Sequence, residues 1–274
     1  MSLRLDWEKK LSDRAECGRA LKRLLGVSFE PGGNGRSLPM WKWILSMLNH
    51  QNRRDVYGMM IQEMRLFALA TDLRIVDEYD RKERKKFAEL LRKCKTEADY
   101  GGIRFELQLM ARFIKQNVIF KKSESPDFQI LHEGNPLSIE CACAHLNKRR
   151  EREVYWKVVS IIHEKAAMPY ADKAMCLFIE ITNLQLAHAL KSRNGESFIA
   201  RSEIQEPITQ AMQGKNLGAV VLYCNQLRAD DFRHLHLTRL FYNDNTAPQL
   251  DAFLKANYHG NERMLPPWFV TTKG

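Results

Sequence analysis

A chain of 274 residues with 45% hydrophobic and 28% charged side chains has ordinary globular composition, and no stretch approaches the roughly 18 uninterrupted apolar residues of a membrane span. The opening Met1-Ser2-Leu3-Arg4-Leu5-Asp6 lacks the apolar centre of a secretory signal. The six cysteines, Cys17, Cys94, Cys141, Cys143, Cys176 and Cys224, show no C-x-x-C spacing and read as reduced thiols, so a cytoplasmic location with no membrane partner is expected. The formal charge of +10 favours a polyanionic partner, nucleic acid first, although a surplus of this size also serves solubility.

The charge divides as +6 over residues 1–99 (21 Lys+Arg against 15 Asp+Glu) and +4 over 100–274 (22 against 18), which makes the first part the more basic. Apolar residues recur at helical spacing from Leu3 to Leu25 and stop at Gly26, and Pro31-Gly32-Gly33-Asn34-Gly35 follows as a loop. That loop lacks the Gly-Lys-Ser/Thr of a phosphate-binding P-loop. Helices are expected over Pro39 to Asn49, Arg53 to Ala70 and Asp77 to Lys95. The last carries Arg81, Lys82, Arg84, Lys85 and Lys86, a run that could grip a phosphate backbone but, interleaved with Glu83 and Glu89, also reads as a solvated helix face. Trp41 and Trp43, beside Met40, Ile44, Leu45, Met47 and Leu48, read as core rather than as base-stacking residues. The spacing therefore predicts a mostly helical, basic N-terminal region over residues 1–99.

Asp99-Tyr100-Gly101-Gly102 reads as a hinge, after which the pattern changes to alternating helices and strands over residues 100–274. A helix is expected over Ile103 to Asn117. Strands are expected at Val118 to Lys121, Phe128 to His132 and Pro136 to Ala144, then a helix from Arg149 to Ala167. A strand (Met175 to Thr182), a helix (Arg201 to Gln213) and two strands (Ala219 to Cys224, His234 to Tyr242) follow. The fold class is α/β, a mixed central sheet flanked by helices.

On the helix after the hinge, Arg104, Gln108, Arg112 and Lys115 gather in one arc and read as the water face. Glu106 stands amid the apolar remainder, Ile103, Phe105, Leu107, Leu109, Met110, Phe113 and Ile114. A buried carboxylate must be neutralised, paired or ligated to a metal. The two strands flanking Glu133-Gly134 read as a hairpin whose register sets Asp127 opposite Glu140, with Cβ atoms roughly 4.5 to 5.5 Å apart. Phe128, Ile130, Leu137, Ile139, Cys141 and Cys143 share one face; Asp127, Gln129, Ser138 and Glu140 share the other. Facing acids repel unless a cation lies between them, and a hard divalent ion with oxygen ligands, magnesium, is the expected occupant.

With Phe105-Glu106-Leu107 on a helix, Ser125-Pro126-Asp127-Phe128 ahead of the hairpin and Ser138-Ile139-Glu140-Cys141-Ala142 on its second strand, residues from about Ile103 to Thr182 resemble the PD-(D/E)XK nuclease superfamily. The resemblance implies a restriction-endonuclease-like core in which Glu106, Asp127, Glu140 and the backbone carbonyl of Cys141 bind Mg2+ or Mn2+ for hydrolysis of DNA. Ala142 stands where the family pattern has lysine, so the cation that would position or activate the attacking water must come from elsewhere. Lys165, on the Val154, Val158, Ile161 and Ile162 side of the next helix, is one candidate and also reads as a side chain snorkelling from a helix end. Lys148 is another. A nuclease fold that no longer cleaves, kept as a nucleic-acid-binding or assembly subunit in a mobile-element or phage-defence system, is the alternative. A homodimer or a partner subunit is compatible with either. Cys141-Ala142-Cys143-Ala144-His145 invites a zinc reading, but strand parity makes the two cysteines buried filler. No G-x-S-x-G, H-E-x-x-H or dinucleotide glycine pattern occurs.

Overall fold

The computed structural model describes residues 7–29, 32–145, 154–185, 202–227, 234–258 and 263–264. Helix α1 (Trp7–Leu25) ends where Gly26 adopts a φ of 72° and returns its N–H to Lys22 O, the left-handed stop that glycine makes without steric cost. Helices α2 (Trp41–Asn52), α3 (Val56–Tyr79), α4 (Arg81–Lys93) and α5 (Glu97–Lys115) follow. The described residues divide into two compact units, those up to residue 114 and those from residue 115 on.

In the first unit α3 runs on to Tyr79 because Leu73 and Val76 continue its fully buried stripe. The break comes at Asp80, whose carboxylate accepts from the N–H groups of Lys82 and Glu83 and so caps α4. Helix α4 buries Phe87, Ala88 and Leu91. Its arginines turn back to α1: Arg84 donates to Leu24 O at 3.0 Å and pairs with Asp77, and Arg92 donates to Leu25 O at 2.6 Å. Carbonyls left open at the end of α1 thereby find charged donors.

Three sequence expectations change here. Asp99-Tyr100-Gly101-Gly102 lies inside α5 and is no hinge; Tyr100 is buried and holds that turn against Trp43. The expected water face of α5 is covered over its first half, where Gln108 is buried and Arg104 pairs with Asp72 at 2.7 Å, while Arg112 is half-buried and Lys115 is exposed. The tryptophans of α2 are half-buried rather than core: Trp41 stacks on Phe29 with Arg36 above it, and Arg65 lies over Trp43.

The second unit is built on one mixed sheet in the spatial order β1 (Ile119–Lys122), β2 (Phe128–His132), β3 (Asn135–Cys143), β4 (Met175–Glu180), β5 (Ala219–Leu227), β6 (His234–Tyr242) and a two-residue β7 (Arg263–Met264). β1, β2 and β3 form an antiparallel meander; β3, β4 and β5 are parallel; β6 and β7 return antiparallel. The crossovers run through α6 (Val154–Ala166) and α7 (Gln205–Met212), which supply the length that parallel neighbours require. Every residue of β4 is buried, the mark of a central strand covered on both faces. On one face Leu177, Ile179, Val220 and Leu222 pack with Val158, Ile161 and Ile162 of α6 and with Ile208 and Met212 of α7. On the other, Phe178 meets Tyr258, which follows α8 (Pro248–Asn257) and packs on Phe253.

The β2–β3 hairpin has the register expected from sequence, Phe128 against Ile139 through His132 against Asn135. Its two turn residues, Glu133 at φ 50° and Gly134 at φ 80°, are both left-handed, as a type I′ turn demands. The α/β class, with a helical N-terminal region ahead of a mixed sheet, agrees with the expectation. No helix among the described residues is long and apolar enough to cross a membrane.

Candidate functional site

The hairpin register carries Asp127 one step beyond the last β2–β3 pair, where its side chain turns onto β3. The Cys141 N–H donates to Asp127 Oδ2 at 2.7 Å. In an extended strand a residue's N–H and C=O leave by the same edge, so the Cys141 carbonyl opens on the edge that faces Asp127. The segment before Asp127 is folded on itself: Ser123 N–H donates to Asp127 O at 3.0 Å, the Ser123 hydroxyl donates to Pro126 O, and the Ser125–Pro126 peptide is cis.

Glu140 lies on β3 with its side chain only 6% exposed. Lys165, in the last turn of α6, extends its ammonium to 2.7 Å from Glu140 Oε1. Glu140 Oε2 is buried with no hydrogen-bond partner. Burial, the largest single influence on Lys165, pulls its pKa down. The hydrogen bond and charge of Glu140, reinforced by Tyr170 and Asp127, outweigh it and hold the ammonium above the ordinary lysine value of 10.5. Tyr170 is pushed up as well, first by burial and then by the negative charge of Glu140.

A second lysine reaches the site from the sheet edge. Lys122 Nζ is 3.4 Å from Asp127 Oδ1 and 3.0 Å from Ser123 O, and it lies 4.9 Å above the Phe128 ring. The expected strand from Val118 to Lys121 stops one residue short of it. β1 includes Lys122, whose pairing with Phe128 sets it beside Asp127. Carrying the hairpin register one strand further would have found this residue.

Asp127, Glu140, Cys141 and Lys165, expected as site residues, are therefore gathered in the second unit. Ala142 lies two residues beyond Glu140, packed against the core formed by α6 and β4. Glu106 lies on α5 in the first unit, half-buried between the fully buried Phe105 and Leu107. Lys148 lies outside the described residues. Of the basic run, Arg81, Lys82 and Lys85 are exposed and Lys86 pairs with Glu83, while Arg84 is taken up by α1 and Asp77.

Among the described residues no group of three or more His, Cys, Asp or Glu side chains is placed to hold a metal ion. Asp127 and Glu140 each face a lysine instead. The fit to magnesium is chemical: the carboxylates of Asp127 and Glu140, the latter with a buried oxygen lacking a hydrogen-bond partner, and the adjacent Cys141 carbonyl are all oxygen donors of the kind a hard divalent ion takes. In the Cys141 to His145 run both cysteines are half-buried rather than the buried filler expected from strand parity, and two of its side chains have protein partners. Cys143 Sγ donates to Glu180 Oε2 at 3.2 Å, Thr182 N–H occupies Glu180 Oε1, and His145 is engaged with Asn183. Burial, then Glu180, raises the Cys143 thiol well above its usual range, which keeps it protonated. Compared with known proteins, the chain matches no family model, no curated protein and no solved structure.

Proposed function

We propose that this chain hydrolyses phosphodiester bonds in DNA as a magnesium- or manganese-dependent nuclease of the PD-(D/E)XK type. Lys165 of α6 takes the place of the lysine that Ala142 replaces. The observation that carries this reading is the Lys165 ammonium 2.7 Å from Glu140, on a carboxylate whose other oxygen is buried and unpartnered. A structural ion pair would gain by satisfying both oxygens. The chain order of helix, three-stranded meander, crossover helix and parallel strand, from α5 to β4, also supports the resemblance.

Asp127, Glu140 and the Cys141 carbonyl would hold the ion, which when bound supplies positive charge beside the phosphate. Lys165 has two tasks that this chain can perform by itself. It orients a water by hydrogen bonding, and it stabilises the negative charge that grows on the phosphoryl oxygens as that water attacks. In the free protein Glu140 holds Lys165 above the ordinary lysine value, so the side chain is charged at neutral pH and is read as an electrostatic group rather than as a base. The resemblance assigns Glu106 to the metal as well, and a Glu106→Gln variant tests that assignment directly.

The deciding measurement is plasmid cleavage with magnesium or manganese by the purified chain. Asp127→Ala and Glu140→Ala should each abolish cutting, and a double variant that cuts as fast as the wild type removes the proposal. Ala142 favours a second reading, a nuclease fold that binds nucleic acid or a protein partner without cleaving. That reading expects heat on metal or DNA titration with no nicking.

A further inference from the structure

Resting on that nuclease reading, we infer that Lys122 is a counter-ion lock. In the free protein its ammonium holds the Asp127 oxygen that a divalent cation needs, and it leaves for a nucleic-acid phosphate, so that metal loading is coupled to substrate binding. The two carboxylates of the site are neutralised in different ways. Glu140 is gripped by Lys165 at 2.7 Å through one oxygen while the other is buried with no hydrogen-bond partner, so a cation bound there need not displace the lysine. Asp127 has no such spare oxygen: Oδ2 accepts the Cys141 N–H at 2.7 Å, and Oδ1 is the atom that Lys122 faces at 3.4 Å. A second cation arriving at Oδ1 meets the charge of the first.

Lys122 is built to leave. At 3.4 Å its contact with Asp127 is longer than its contact with Ser123 O at 3.0 Å. It projects from β1 at the edge of the sheet, its side chain still 19% exposed, and the Phe128 ring 4.9 Å below the ammonium gives it a pivot. A phosphate oxygen offers the ammonium a charged acceptor in exchange for the one it gives up, so the departure costs little when nucleic acid is present and more when it is absent. Reciprocity then requires that metal favour nucleic acid and nucleic acid favour metal to the same extent.

The test uses the full chain in two titrations. In calorimetry with Mn2+ and no nucleic acid, Lys122→Met should bind about three- to tenfold more tightly than wild type, whereas Lys122→Arg, which keeps the charge, should not. In EDTA, where no cutting occurs, binding of a short DNA duplex by Lys122→Met should weaken, with the slope of log affinity against log salt reduced by about one. Manganese affinity unchanged or weakened in Lys122→Met, no manganese binding by either protein, or duplex binding equal to wild type would each overturn the lock. The Asp127→Asn variant separates the levels of the argument. If it binds manganese as wild type does, the nuclease reading itself fails; if it loses the metal while Lys122→Met is unaltered, only the lock fails. Thermal melts of both Lys122 variants confirm that folded protein was titrated.

Discussion

Lys165 Nζ lies 2.7 Å from Glu140 Oε1, two residues before the alanine that occupies the expected lysine position on the same strand. The pair joins stability to activity, and the two can be pulled apart. Lys165→Met leaves a buried carboxylate with no compensating charge, a change expected to cost about 1 to 3 kcal/mol, below the range for a fully buried pair because Lys165 is partly exposed. Cleavage should fall by about a hundredfold to a thousandfold. Adding Glu140→Gln should recover much of the stability in a urea melt and none of the cleavage. A single Lys165→Met that melts and cuts as wild type shows the pair to be ornamental.

Alkaline pH should weaken the fold through the same pair. Lys165 is held above its ordinary value of 10.5 and Tyr170 above its ordinary value of 10.0. Above these values the unfolded chain has released protons that the folded chain keeps, so stability must fall as pH rises. The Lys165 contribution is fully present below 10.5 and is lost as pH climbs through the raised folded value. Melting temperature measured from pH 8 to 11 should be level at first and decline beyond about 10, and the decline should be shallower in Lys165→Met. A decline that is identical in the two proteins assigns the loss to other groups.

How far sequence reached depended on whether a local rule determined the position. The hairpin obeyed three rules at once: strand alternation, a turn that only left-handed residues can make, and a period of two that admits a single register. The pairing of Phe128 with Ile139, one step inside Asp127 and Glu140, was therefore readable from sequence. The helix from Glu97 was not, because Gly101-Gly102 carries a turn signal that the burial of Tyr100 overrides. The face of α5 around Arg104 and Gln108 was misjudged for a related reason. An amphipathic wheel shows which side is polar but not whether an acid on another helix, here Asp72, waits to cover it. Lys122 was missed by one residue at a strand end, where boundaries are least determined.

The position of Ala142 makes the location of the cation testable. Its side chain faces the core formed by α6 and β4, with Lys165 already supplying an ammonium to Glu140. Ala142→Lys alone should add a second ammonium to an occupied position, lowering stability by about 1 to 3 kcal/mol without raising cleavage. The double variant Ala142→Lys, Lys165→Met returns the cation to the strand and should cut DNA faster than Lys165→Met by at least about tenfold. If the double variant is as inactive as the single one, the cation must come from α6 for reasons beyond its charge, and the analogy with a strand lysine is wrong in detail.

The basic residues of α4 separate into two groups by what they touch, and mutation should separate them in the same way. Arg84 spends its guanidinium on Asp77 and on Leu24 O at the end of α1, and its side chain is 11% exposed. Arg84→Ala leaves that carbonyl and that carboxylate without their donor and should cost about 1 to 3 kcal/mol in a denaturant melt. Any loss of nucleic-acid binding in this variant should track the unfolded fraction. Arg81, Lys82 and Lys85 are exposed on the same helix, and replacing all three by alanine removes charge without opening the core. If this face holds phosphates, the triple variant should bind duplex DNA more weakly across all sequences, with the salt slope reduced by about three, while its melt stays within about 0.5 kcal/mol of wild type. An unchanged salt slope would mean that the helix displays its charge to solvent alone, which leaves Lys122 of β1 and Lys165 of α6 as the next cations to replace.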